Sequence, residues 1–143
     1  MSVEFTSLFP LCCFFLVQGN PALKHLLIVA HGSRRAESND EVRELTQRIK
    51  SQSGETFADV RCAFLELAEP LIPDGIIECI NNGATEVVVL PYFLSAGRHV
   101  VADIPEEVEK ATQQYPDIKV TIAPYLGSIE AIPSLMAQHA ANC

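Results

Sequence analysis

Hydrophobic and polar residues follow one another in blocks along this chain, and the blocks predict four strands that each lead into a helix. The strands are short apolar runs rich in β-branched residues, bounded by polar residues, glycine or proline. The intervening segments repeat apolar residues every three to four positions, as amphipathic helices do. The predicted strands are 25–30, 59–66, 86–90 and 119–123, and the predicted helices are 37–50, 68–81, 104–115 and 128–141.

This alternation predicts the fold class. Buried apolar strands that are separated by helices are typical of an α/β protein with a parallel sheet. We therefore expect a three-layer architecture, with a four-stranded, mostly parallel sheet and helices on both of its faces. The crossover connections should be right-handed.

Composition narrows the class of protein. A chain of 143 residues with 48% hydrophobic and 20% charged residues fits a single globular domain. The formal net charge of −8 argues against nucleic-acid binding, which needs a basic face. Five cysteines, with no CxxC spacing, do not form a pattern for a zinc site or a disulfide framework. We expect free thiols in a reducing compartment, and hence a cytoplasmic protein.

The first 23 residues do not continue the strand–helix pattern. Residues 8–17 (LFPLCCFFLV) are apolar, but ten residues are too few to span a bilayer, which takes about 20, so no membrane partner is expected. We predict that 1–23 is an extension outside the fold and that 24–143 is one domain. An upstream start that adds a tail is the favoured explanation; a weak targeting segment and an extra packed strand stay open.

Three potential metal ligands follow three different predicted strands. His31 follows the first strand, Glu66 ends the second, and His99 lies in the loop after the third. The carboxyl ends of parallel strands meet at one sheet edge, where ligands bind in such folds. Imidazole and carboxylate together suit a divalent transition metal, and three protein ligands leave positions open for a substrate. Because Glu66 lies in an apolar run, an ionised carboxylate there would need a partner or a metal.

Other polar residues divide into two groups. Arg34 and Arg98 are cations near the predicted edge, although a solvated surface role is the alternative for Arg34. His25 lies at the opposite end of the first strand and His139 lies in the last helix, so we predict that both are surface residues.

Three blocks of this sequence resemble one protein family. LLIVAHGSR, FLELAEP and GATEVVVLPYFLSAGRHVVADIP, in this order and spacing, resemble the sirohydrochlorin chelatase family, and specifically its short, single-domain cobaltochelatase branch. The resemblance extends from about Leu26 to Ala137. It implies a chelatase-like fold and an enzyme that inserts a divalent metal into sirohydrochlorin without ATP, for cobalamin or sirohaem synthesis.

The resemblance also implies roles for residues. It gives His31, Glu66 and His99 as the metal-binding and catalytic residues; whether Glu66 is a ligand, a base or an orienting group stays open. We further expect contacts with the substrate carboxylates from a set around the two loops: Gly32, Ser33, Arg34, Ser95, Gly97 and Arg98. The substrate metal expected is Co²⁺, with Fe²⁺ and Ni²⁺ as alternatives, and no organic cofactor is implied. Since longer family members carry two such domains, the resemblance implies a homodimer.

Two other functions compete with this interpretation. A metal or tetrapyrrole carrier would use the same pocket without turnover, and its sequence would look nearly identical. A phosphate-handling enzyme is a weaker alternative, because histidine phosphatases need an arginine directly before the histidine, and here that residue is Ala30.

Overall fold

A computed structural model describes residues 23–143 and contains four strands and four α-helices within that range. A π-helical turn over His99–Asp103 leads directly into the third α-helix, and a 3₁₀ turn over Leu126–Ser128 precedes the last. The elements are β1 Lys24–Ala30, α1 Ala36–Gln52, β2 Asp59–Phe64, α2 Ile72–Asn81, β3 Glu86–Pro91, α3 Ile104–Thr112, β4 Lys119–Ile122 and α4 Ile132–Ala141.

The four strands form one parallel sheet in the order β2-β1-β3-β4. The central strand β1 pairs with β2 on one side and with β3 on the other, and six of its seven residues are buried. All four strands therefore direct their carboxyl ends to the same edge, and the loops that follow β1, β2 and β3 meet there.

Helices cover the two faces of the sheet unequally. On one face, α2 and α3 pack over a large core that includes Leu27, Val29, Ile76 and Ile104, all fully or almost fully buried. On the other face, α1 packs against β2, over a smaller cluster that includes Ile28. The predicted three-layer α/β fold with a parallel sheet is confirmed.

The final helix does not contribute to this core. Nine of the ten residues of α4 are exposed, and Leu135 and Met136 retain 60% and 58% of their accessible surface. The helix begins four residues later than predicted, because 126–128 form the 3₁₀ turn instead. An apolar face of α4 is thus left uncovered by the rest of the described chain.

The helix boundaries differ from prediction where the backbone makes other hydrogen bonds. Helix α2 begins at Ile72 rather than at 68, because 65–70 form a series of bends in which the carbonyl of Pro70 accepts a hydrogen bond from the N–H of Phe64. Helix α3 ends at Thr112, three residues early.

The predicted surface position of His25 is wrong. Its side chain is 2% exposed, because the strand that carries it has a neighbouring strand on both sides. Burial lowers the pKa of His25, and its Nδ1 atom has no hydrogen-bond partner among the described residues. His139 is exposed as predicted.

Two further predictions concern the chain outside the sheet. The N-terminal extension lies, except for Leu23, outside the described residues. Within 23–143, no helix is both long enough and apolar enough to cross a membrane.

Candidate functional site

The three predicted ligands lie together at the carboxyl edge of the sheet. His31 directly follows β1, and its carbonyl accepts a hydrogen bond from the N–H of Glu66 at 3.0 Å, so strand pairing continues past the end of β2. His99 begins the π-helical turn after β3, and its ring centroid lies 4.8 Å from that of His31, edge to face. The sheet register thus brings together residues that are far apart in the sequence.

Both ring nitrogens of His31 face hydrogen-bond acceptors. Nδ1 lies 3.0 Å from the carbonyl oxygen of Gly32, and Nε2 lies 3.1 Å from Oε1 of Glu66. A neutral imidazole carries a single N–H, so it can satisfy only one of these acceptors. A second proton or a metal ion at Nε2 would satisfy both. Donors that bind one ion at about 2.0–2.2 Å lie roughly 3 Å apart, which matches the separation of Nε2 and Oε1.

His99 has a carboxylate partner that the sequence analysis did not assign. Its Nδ1 lies 2.8 Å from Oδ2 of Asp103, and Oδ1 of the same carboxylate lies 3.4 Å from Nε of Arg98. The ring of Phe93 packs 6.3 Å from that of His99, centroid to centroid. Asp103 and Phe93 therefore restrain the imidazole from two directions.

The site is open to solvent. The side chains of His31, Glu66 and His99 are 40%, 55% and 44% exposed. Although Glu66 lies in an apolar run, its side chain is exposed, because it lies two residues past the end of β2; the partner that its carboxylate was expected to need is His31. Within residues 23–143, no three His, Cys, Asp or Glu side chains are close enough to form a metal-binding group. Joint ligation by all three residues stays a prediction.

The loop after β1 is held by a buried asparagine. Gly32 has a φ of +92°, and a Cβ atom there would lie 1.8 Å from the carbonyl oxygen of Glu66. Ser33 donates its N–H to Oδ1 of Asn39 at 2.9 Å, and its carbonyl accepts from Nδ2 of Asn39 at 2.8 Å. The N–H of Ser33 is therefore paired inside the protein, contrary to the expectation that it contacts a substrate carboxylate.

The other four predicted substrate contacts are accessible. Ser95, Gly97 and Arg98 lie in the exposed loop between β3 and the π-helical turn, and Arg98 is 86% exposed even though it contacts Asp103. Arg34 is also exposed, and it makes no salt bridge with any residue in 23–143. These residues are positioned to meet an anionic ligand, but their roles stay predictions.

A cavity of about 420 Å³ opens beside His31. Its walls are mainly apolar and include Tyr92, Phe93 and Leu94, and its polar lining includes Ser33 and Asn39. Tyr92 and Leu94 are 39% and 64% exposed, which is high for large apolar side chains. This surface could accommodate part of a flat, apolar ligand next to the histidines.

A second cavity, of about 320 Å³, lies away from this edge, along β2. Its charged residues pair with one another: Asp59 contacts Lys50 at 2.7 Å and Arg61 at 2.8 Å, and Arg61 also contacts Glu78 at 3.2 Å. Burial would raise the pKa of Asp59, but the hydrogen bonds from Lys50 and Arg61 outweigh it and lower the pKa. Internal pairing makes this cavity a weaker candidate for a ligand site.

Sequence reasoning missed Asp103 and Asn39 as members of the site. The sequence analysis assigned neither residue a role at the site. The spacing of four residues between His99 and Asp103 was the available signal for the first contact. The paired amide of Asn39 depends on the loop conformation, which the sequence pattern did not predict.

The chain is similar to one family of known proteins. The family model described as CbiX matches residues 25–143. A chloroplastic sirohydrochlorin ferrochelatase from Arabidopsis thaliana is 36% identical over 82% of this chain and 52% of its own length. A sirohydrochlorin cobaltochelatase from Priestia megaterium is 35% identical over 70% of this chain and 32% of its own length.

A solved structure provides a third comparison. The sirohydrochlorin chelatase SirB from Bacillus subtilis subspecies spizizenii, in complex with cobalt, superposes with a TM-score of 0.73 at 29% identity. The match covers 83% of this chain and 50% of that one. The chain thus spans about half the length, or less, of these three proteins.

Proposed function

We propose that this chain, which belongs to the CbiX family, inserts a divalent metal ion into sirohydrochlorin without using ATP. The observation that carries the proposal is the pairing of His31 Nε2 with Glu66 Oε1 at 3.1 Å, beside His99, at the carboxyl edge of the sheet. The names of the relatives support the substrate, since they are sirohydrochlorin ferrochelatases and cobaltochelatases.

In this proposal, His31 and Glu66 receive the metal substrate. The ion takes the place of a proton between Nε2 and Oε1, so that both atoms direct lone pairs at one cation and act as two of its ligands. His99 contributes a second imidazole. Partial exposure of all three side chains lets the ion arrive hydrated and lose water stepwise, while the remaining coordination positions face the macrocycle.

Metal insertion also requires acceptors for the two pyrrole protons of the macrocycle. Glu66 and the imidazoles are the basic side chains at the site, and once they release the metal they can accept those protons. A positioned general base typically accelerates a reaction by about 10²–10⁴-fold. Glu66 therefore has two roles in succession: it first binds the metal, and after releasing the metal it acts as a base.

The macrocycle has an apolar face and acidic substituents, and the chain offers a surface for each. Tyr92, Phe93 and Leu94 provide an apolar wall beside His31. Arg34 and Arg98 are exposed cations near this wall, and they can bind carboxylates despite the net charge of −8. Ser95 and Gly97 lie in the loop before Arg98, and because both residues are small, the backbone of that loop stays accessible.

Co²⁺ is the substrate metal that we propose, with Fe²⁺ and then Ni²⁺ as alternatives. Imidazole and carboxylate ligands accept all three ions, so metal supply and site geometry set the selectivity more than ligand type does. The identities of 36% to a ferrochelatase and 35% to a cobaltochelatase do not favour either metal. We choose Co²⁺ as the substrate metal because the sequence resembles the short, cobaltochelatase branch of the family.

We also propose that two copies of the chain form the active assembly. The chain spans about half of the SirB chain that it matches, and a second copy would supply the missing wall of the pocket. Leu94, Val101, Leu135 and Met136 are at least 58% exposed, which is unfavourable unless a partner covers them. The cytoplasmic location stays a prediction, since one relative is chloroplastic.

A multiple-turnover assay tests the proposal. Sirohydrochlorin in tenfold excess over protein is mixed anaerobically with Co²⁺ or Fe²⁺, and the visible absorbance of the macrocycle is followed. We expect insertion to continue well beyond one equivalent and to exceed the rate without protein. Insertion that stops at one equivalent, or a rate equal to the background, would indicate a carrier and contradict the proposal.

A further inference from the structure

The carboxylate of Asp103 contacts the two residues at the start of the turn that carries it. Asp103 immediately precedes α3, but the π-helical turn continues into α3 and the N–H of Ile104 donates to the carbonyl of His99, so this aspartate caps no helix end. Its side chain turns back to His99 Nδ1 at 2.8 Å and to Arg98 Nε at 3.4 Å.

The backbone brings the pair together. Residues 99–103 form a π-helical turn that leads without a break into α3, so His99 and Asp103 lie four positions apart on one continuous helical segment. Short π-helical segments are rare in proteins, and those that occur are often found at functional sites. Ile104, fully buried in the core, anchors the end of this turn.

The contact determines which nitrogen of His99 carries the proton. An ionised carboxylate only accepts hydrogen bonds, so Nδ1 must donate to Asp103. In the neutral imidazole, Nε2 then keeps its lone pair. A histidine that binds a metal through Nε2 needs this tautomer, and a carboxylate on the other nitrogen also restrains the orientation of the ring.

We propose that Asp103 is a positioning residue, which fixes the tautomer and orientation of His99 so that Nε2 is available to the substrate metal. The inference rests on the proposed function, because it takes His99 as a ligand of that metal. Arg98 contacts the other oxygen of the same carboxylate. Partners of this kind typically change metal affinity by about 10–100-fold when they are removed.

A double-mutant cycle with Co²⁺ alone tests the inference without requiring turnover. The variants are Asp103→Ala, His99→Ala and the double variant, with Asp117→Ala as a control that removes an exposed aspartate from the turn before β4. The dissociation constant of Co²⁺ is measured by titration of its visible absorption. We expect Asp103→Ala to weaken binding by about 10–100-fold in the wild-type background. In the His99→Ala background, we expect it to change binding by less than twofold, because its effect acts through His99.

Other outcomes would overturn the inference. These are an unchanged Co²⁺ affinity in Asp103→Ala, an equal loss in both backgrounds, or a His99→Ala variant that binds Co²⁺ as the wild type does. Thermal unfolding of each variant identifies a folding defect, and Asp103→Leu, which keeps a side chain of similar shape but has no hydrogen-bond acceptor, then replaces Asp103→Ala in the cycle. In the turnover assay, Asp103→Ala should lower kcat and leave the KM for sirohydrochlorin unchanged. An inactive wild type would refute the proposed function, whereas the Co²⁺ cycle would still decide the role of Asp103.

Discussion

Replacing Gly32 with alanine should separate His31 from Glu66 with a single methyl group. The new Cβ would lie 1.8 Å from the carbonyl oxygen of Glu66, whereas real Cβ contacts are essentially never below 3.0 Å. The two backbone segments would have to move apart by about 1.2 Å. A misplacement of about 1 Å in an active site costs roughly 10²-fold in rate, so we expect a loss of that order in kcat/KM for metal insertion.

Gly83→Ala is a closely matched control. Gly83 has a φ of +91°, against +92° for Gly32, so alanine meets the same conformational penalty of about 1–2 kcal/mol at both positions. At Gly83, however, the nearest atom to the new Cβ is a leucine methyl carbon at 3.5 Å, which is an ordinary contact.

Urea unfolding and the insertion assay together decide the outcome. Both variants should lose stability, and Gly32→Ala should be the less stable because of its additional clash. When rates are compared per folded molecule, only Gly32→Ala should lose activity. A Gly32→Ala protein with kcat/KM within threefold of Gly83→Ala would refute the argument that this close approach sets the site geometry.

Three further predictions concern single side chains. Glu66→Gln keeps the shape of the side chain but removes the base and the anionic ligand, so the insertion rate should fall by about 10²-fold or more. The control is Glu69→Gln, three residues away and also exposed, which should not change the rate. Equal rates in the two variants would contradict the role of Glu66. Arg98→Ala should raise the KM for sirohydrochlorin and make this KM less dependent on salt, since a contact with a substrate carboxylate is lost. If the variant has the kinetics of the wild type from low to high salt, Arg98 does not contact the substrate. Burial lowers the pKa of His25 in the folded protein below the ordinary histidine value of about 6.5, so the unfolded chain binds the proton first and stability should fall as the pH drops below about 6.5. His25→Leu should flatten that part of the stability curve in urea unfolding between pH 5 and pH 8, and an identical slope in both proteins would show that His25 does not cause it.

The strands were predictable because their signal is local. Short runs of apolar and β-branched residues between polar and turn residues indicate strands, and each of the four predicted strands begins and ends within two residues of the observed one. Strand order alone then places His31, Glu66 and His99 at one edge. The candidate site could therefore be located before any side-chain geometry was available.

The contacts within the site were not predictable in the same way. The hydrogen bond from His99 to Asp103 depends on a π-helical turn, which no hydrophobic period indicates. Glu66 is exposed because it lies two residues past the end of β2, at the open edge of the sheet, although the apolar run continues in the sequence. His25 is buried because β1 is central in the sheet, which is a property of topology rather than of its neighbours in sequence.

The central claim is that metal insertion takes place at the histidine–carboxylate edge, and the initial rate of the His31→Ala variant tests it most directly. Sirohydrochlorin and Co²⁺ are mixed anaerobically with wild type, His31→Ala, or Asp117→Ala, in which an exposed side chain of the turn before β4 is removed. We predict that His31→Ala loses at least about 10²-fold of the rate, since both the metal ligand and the partner of Glu66 are gone, while Asp117→Ala stays at the wild-type rate. A His31→Ala protein that inserts Co²⁺ as fast as the wild type would contradict the account.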